Sequence, residues 1–173
     1  MAFALKSNKK LPQGQEFVPA VVHVSREAKN LPQSTTQQLF KVAGGRVLVH
    51  RLIGEVTTVI QNSDPVAKVS ASKLNAALDT LVGTAYDIAS TLDMSSDEVG
   101  TIYTIEGDGT AIVSPQVAGA GYEAATKWIA PQGQIYLTTG ASKTGAIKWD
   151  IWYTPLDEGA YVVAVNTATA AVT

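Results

Sequence analysis

The chain has 173 residues, enough for one domain of ordinary size, and 46% of them are hydrophobic, enough for a proper core. A net charge of −2 argues against the basic face that nucleic-acid binding needs, and the absence of cysteine excludes disulfides and thiolate metal sites. Only 16% of residues are charged, against about 25% in typical globular chains, so partners are expected to cover part of a weakly charged surface.

The opening MAFALKSNKK lacks the apolar run of a signal peptide, and no stretch reaches the ~18 apolar residues of a membrane span. The expectation is therefore a protein made in a cytoplasm, with no membrane partner. Residues 1–38 differ in composition from the rest of the chain. Lys6, Lys9, Lys10, Pro12, Gly14, Pro32 and the polar tract Gln33–Gln38 lie among few large apolar side chains. Phe17–Val24 is the exception, and Pro19, which has no N–H to donate, allows it to be a strand only at a sheet edge. Two readings stay open: an extended arm that orders by lying across a partner, or a loose terminus. On the arm reading, Lys6, Lys9, Lys10 and Phe17 are contact residues.

From Leu39 the strand signal is dense. Arg46–Ile53 has two largely apolar faces, as a central strand does; Gly54 interrupts it, and Glu55–Ile60 resumes with β-branched residues. Asn62–Pro65 is a turn and Val66–Ser70 a short strand. Leu74, Ala77, Leu78 and Leu81 fall at spacings of three and four, with Ser72 as N-cap and Gly83 beyond the C-terminus. A short helix fits Lys73–Val82 slightly better than a looped strand connection. Thr84–Leu92 alternates like a strand, and Thr101–Glu106 with Thr110–Val113 forms a hairpin about the turn Gly107–Gly109.

Gly133–Gly159 carries the clearest pattern. Ile147, Trp149, Ile151 and Tyr153 recur at every second residue and face inward, while Lys148, Asp150, Trp152 and Thr154 take the other face. Ile135, Leu137 and Thr139 alternate likewise, and Ala141–Gly145 supplies a turn, so the stretch reads as a β-hairpin ending at Pro155. Trp149 is expected in the core, and Trp152 is the best candidate for contact with a second sheet or another chain. Ala160–Val165 makes the last strand. About eight to ten short strands, spaced by roughly 8–12 residues, indicate an all-β fold. The expected architecture is an antiparallel sandwich of jelly-roll type, or a barrel, over residues 39–173, with at most one short helix.

Catalytic chemistry finds little support. Ser70-Ala-Ser-Lys73 and Lys143-Thr-Gly145 match the S-x-x-K and K-T-G boxes of penicillin-recognising enzymes, but Lys143 falls in a turn and the S-D-N element is missing. Gly140–Gly145 departs from a phosphate loop, because Ser142 replaces the glycine before the lysine and a strand comes next. His50, in an apolar strand, reads as a hydrogen-bonded half-buried residue, and His23 as exposed. Asp97/Glu98 and Asp157/Glu158 have the chemistry of hard-cation ligands, yet adjacent carboxylates in loops are normally solvated. No cofactor or metal is expected.

The run Ile147–Ala160 (IKWDIWYTPLDEGA), preceded by Pro131-x-Gly133-x-Ile135, resembles the C-terminal end of small structural proteins from tailed-bacteriophage head modules. Phe40–Ile60, with Gly44-Gly-Arg-Val and Ile53-Gly-Glu-Val, is similar to the opening of the same domain. The resemblance implies a non-enzymatic virion component at the capsid surface, a decoration or cement protein. Its expected partners are the major capsid protein and further copies of itself, as a trimer at a three-fold position. Head-fibre or tail placement is the runner-up. A carbohydrate-binding module using Trp152 and Trp128 is the alternative from another class, and a hydrolase centred on Ser70 comes third.

Overall fold

Period-two patterning resolves into ten strands in the computed structural model, which describes residues 20–61, 66–75, 80–105, 127–140 and 144–166. In chain order they are β1 (Val22–Asn30), β2 (Thr36–Ala43), β3 (Val47–Thr58), β4 (Val66–Asn75) and β5 (Thr80–Asp93), then β6 (Ile102–Thr104), β7 (Trp128–Ala130), β8 (Gly133–Thr139), β9 (Ala146–Pro155) and β10 (Tyr161–Ala164). Two five-stranded antiparallel sheets result. Sheet A runs β1-β9-β3-β6 with β7 also paired to β3, and sheet B runs β10-β2-β8-β4-β5. Without the short β7 and β10, the eight remaining strands read first, eighth, third, sixth in one sheet and second, seventh, fourth, fifth in the other. That interleaving is the jelly roll, two Greek keys closed into a sandwich. The described residues contain no helix.

The core lies between the sheets. Leu39, Phe40 and Val42 from β2 and Ile135 and Leu137 from β8 meet Val47, Val49, Leu52 and Val56 from β3 and Ile147, Trp149, Ile151 and Tyr153 from β9, all buried. The inward face of β9 is the one its alternation predicts.

Several expectations change. β8 and β9 are not a hairpin: β8 pairs with β2 and β4, β9 with β1 and β3, so the two strands lie in opposite sheets. Alternation fixes which side of a strand is apolar, and an in-sheet turn and a crossover both turn that side inward. Close approach helps to seat β8 against β4, where a Cβ on Gly133 would sit 1.8 Å from the carbonyl oxygen of Ser72. Gly54 does not interrupt a strand; β3 runs through it. The helix expected over Lys73–Val82 is replaced by antiparallel pairing of β4 with β5, in which Leu74 is paired with Leu81 and Asn75 with Thr80; residues 76–79 lie outside the described residues. Backbone pairing along ten and fourteen residues overrides a helical spacing of four apolar positions. Of the expected arm, residues 22–38 belong to the sandwich as β1 and the start of β2. β1 lies at the edge of sheet A among the described strands, and Pro19, on which the edge expectation for Phe17–Val24 rested, lies outside the described residues. Residues 1–19, and the second arm of the expected 101–113 hairpin, lie outside the described residues.

Candidate functional site

The outer face of sheet A gathers the chain's most distinctive surface chemistry. Along β9, between β1 and β3, the even-numbered residues Lys148, Asp150, Trp152 and Thr154 point away from the core. Antiparallel register sets His23 of β1 opposite Trp152 and Ser25 opposite Asp150. The His23 ring stacks on the Trp152 indole with centroids 4.5 Å apart and planes inclined by 13°. His23 Nε2 donates to Asp150 Oδ1 at 2.8 Å, and Lys148 Nζ reaches Asp150 Oδ2 at 3.1 Å. Burial works to raise the Asp150 carboxyl, but hydrogen bonds from Ser25, His23 and Lys148 outweigh it and hold the group below the ordinary carboxylate range.

On the other flank of Trp152, β3 carries a bulge. Val49 pairs with Tyr153 and Arg51 with Trp152, so His50 is an extra residue with no opposite number. The bulge switches the inward face from Val47 and Val49 to Leu52 and Val56, and it turns His50 and Arg51 outward together. His50 Nε2 shares a 2.8 Å hydrogen bond with Thr154 Oγ1. Burial first, then the charge of Lys127, lower the His50 pKa. An open depression of about 320 Å³ lies here, lined by Val21, His50, Arg51 and Trp152. Arg51 is exposed and forms no ion pair among the described residues.

Trp152 is thus half-buried on the face expected of it, and Trp149 is fully buried in the core. Lys6, Lys9, Lys10 and Phe17 lie outside the described residues. His50 has the hydrogen-bonded, half-buried setting that its strand implied. His23 is exposed as its sequence position implied, and strand register also stacks it on Trp152. Trp128 is no partner for Trp152: it packs against the core, and its indole N–H is buried without an acceptor among the described residues.

Ser70 lies on a strand, buried, donating to Asp87 Oδ1 at 3.1 Å, while Lys73 is exposed and Lys143 lies outside the described residues. Asp97 departs from the solvated loop acid expected. It is buried, accepts the Tyr103 hydroxyl, and burial raises its pKa. Asp157 is held down to about 2 by the Arg46 guanidinium and by the Arg46 backbone N–H. Among the described residues no three His, Asp or Glu side chains gather as a metal site would require.

Val21, His23, Arg51 and Asp150 carry no joint signal in the sequence, because strand register and a bulge bring them together from distant parts of the chain. His23 and Asp150 are 127 positions apart. The fold defines the chain as a jelly-roll β-sandwich with a polar-aromatic outer face on sheet A. Compared with protein-family models, with curated proteins and with solved structures, the chain matches none.

Proposed function

We propose that this protein is a non-enzymatic component of a tailed-phage virion that binds the exterior of the capsid and stabilises it. The observation that carries the reading is the strand order, since the jelly roll is an architecture of viral capsid proteins as well as of lectin domains. The two sequence runs that resemble phage head proteins fall mainly on β3 and β9, which pair side by side along sheet A. Such a sandwich offers rigid contact area, and the chain preceding β1 enters it at the edge of sheet A, beside Trp152. In this reading the major capsid protein is the partner, copies of the chain associate as a trimer, and residues 1–19 supply further contact area.

The test is co-sedimentation of the purified chain with mature capsids lacking it, paired with the capsids' resistance to heat. Binding that saturates at a fixed ratio and raises the temperature of capsid disruption is expected. A chain that stays in the supernatant across a range of salt concentrations overturns the reading.

A further inference from the structure

The depression beside Trp152 has the features of a ligand site, and contact with another chain at Trp152 does not by itself call for a concave surface with a guanidinium and an imidazole on its lining. Its wall is an indole held in place by a stacked imidazole, so the ring presents a fixed apolar surface. Its rim carries the Arg51 guanidinium, exposed and without an ion pair among the described residues. Its lining holds the His50 imidazole, anchored by Nε2 on Thr154, while Nδ1 has no hydrogen-bond partner among the described residues. Among the described residues no carboxylate lines it, and the nearby Asp150 is engaged by His23, Lys148 and Ser25. At about 320 Å³ it sits at the small end of the roughly 300–1,000 Å³ typical of small-ligand pockets.

We propose that the Val21–His50–Arg51–Trp152 depression binds a carboxylate-bearing sugar, a uronic-acid residue of an acidic glycan. The C–H face of the pyranose stacks on the Trp152 indole, as apolar faces do on aromatic rings. The carboxylate takes the planar fork of Arg51 in a bidentate charge-assisted pair, a geometry lysine cannot offer. His50 Nδ1 hydrogen-bonds a ring hydroxyl, and Val21 closes the far side. The bulge in β3 is the enabling feature, since a regular strand would turn either His50 or Arg51 into the core.

The proposal is independent of capsid binding and is tested apart from it. Glucuronic acid and an acidic disaccharide containing it are titrated into the full chain, followed by tryptophan fluorescence and by NMR shifts of the indole N–H signals, with glucose as the neutral control. At about 10 mM sugar, enough to saturate a site with a Kd of about 1 mM, the uronate perturbs the Trp152 indole signal and glucose binds at least about tenfold more weakly. R51Q, which changes an exposed side chain and leaves the core intact, lowers affinity about tenfold or more, and W152A abolishes binding. R51K recovers only part of the loss. No response to either uronate, equal binding of glucose, or unchanged affinity in R51Q overturns the proposal. R51Q keeps the test decisive even if W152A fails to fold.

Discussion

Gly54 and Trp149 sit directly opposite each other on β3 and β9, and the indole lies over the bare glycine backbone. A Cβ at position 54 would come within 2.9 Å of the six-membered ring. The glycine is therefore the space into which the largest core side chain fits, and the two residues are one packing unit. Gly54→Ala is expected to destabilise the fold by about 1–3 kcal/mol despite the alanine's lower unfolded-state entropy, because overpacking costs more than that entropy returns. Trp149→Ala costs about 3–5 kcal/mol. Urea unfolding of both variants measures this, and a Gly54→Ala protein as stable as the parent refutes the unit.

Asp97 gives a pH dependence of defined sign. Burial raises its folded-state pKa, so the native state holds this proton more tightly than the unfolded chain does. Its contribution thus favours folding at acid pH and is lost as pH rises from the ordinary value of about 3.9 through the raised one. Asp97→Asn removes that dependence. The difference in urea midpoint between variant and parent grows in the variant's favour from about pH 4 upward. Tyr103→Phe takes away the hydroxyl that Asp97 accepts and costs about 1–3 kcal/mol near neutral pH.

His50 titrates the other way. Burial, with Lys127 adding to it, lowers its pKa, so its neutral form belongs to the folded state. Stability from this group is complete above the ordinary value of about 6.5 and is lost as pH falls through the window below it. NMR titration of the imidazole is expected to give a midpoint below about 6.5, and Lys127→Ala to raise it without restoring it fully.

Arg26 points inward from β1 opposite Trp149 and is almost wholly buried. Its Nε donates to the Val165 carbonyl at 2.8 Å, and its Nη1 has no hydrogen-bond partner among the described residues. A buried cation that meets no counter-charge among the described residues costs more than it returns, and burial accordingly lowers its pKa. Arg26→Met, similar in length and apolar, is expected to raise stability by about 1 kcal/mol or more in chemical unfolding. A loss of stability in that variant would show that the bond to Val165 outweighs the desolvation.

Truncation separates terminus from sandwich. Removing residues 1–19 deletes none of the ten strands of the described residues, and circular dichroism and the melting temperature are expected to stay close to those of the parent. Removing residues 1–38 strips β1 from β9, uncovers the inner-sheet residues beneath it, and is expected to leave an aggregated or unfolded chain. Equal stability of the two truncations would contradict the pairing of β1 with β9.

How much of this was legible in the sequence depends on how far apart the interacting residues lie. The alternation of Ile147, Trp149, Ile151 and Tyr153 is local, so the inward face of β9 could be read directly. The helical spacing over Lys73–Val82 misled because four apolar positions fit either period, and the β4–β5 pairing decided between them. Gly54 read as a break because a lone glycine weakens a strand, and only Trp149 opposite supplies the reason to keep one. The site on sheet A was half visible: Trp152 by its outward parity, while His23 and Arg51 arrive through register and a one-residue bulge that leave no local trace.

The sequence by itself determined the all-β class, the apolar side of the central strands and the outward parity of Trp152, because side-chain direction in a strand follows from period two alone. Only the tertiary structure decided that β8 and β9 lie in opposite sheets, that the order is a jelly roll, and that His23, Trp152 and Arg51 form one row. Strand partners are chosen by hydrogen bonding and burial between segments distant along the chain, and every strand here presents the same backbone donors and acceptors to any of them.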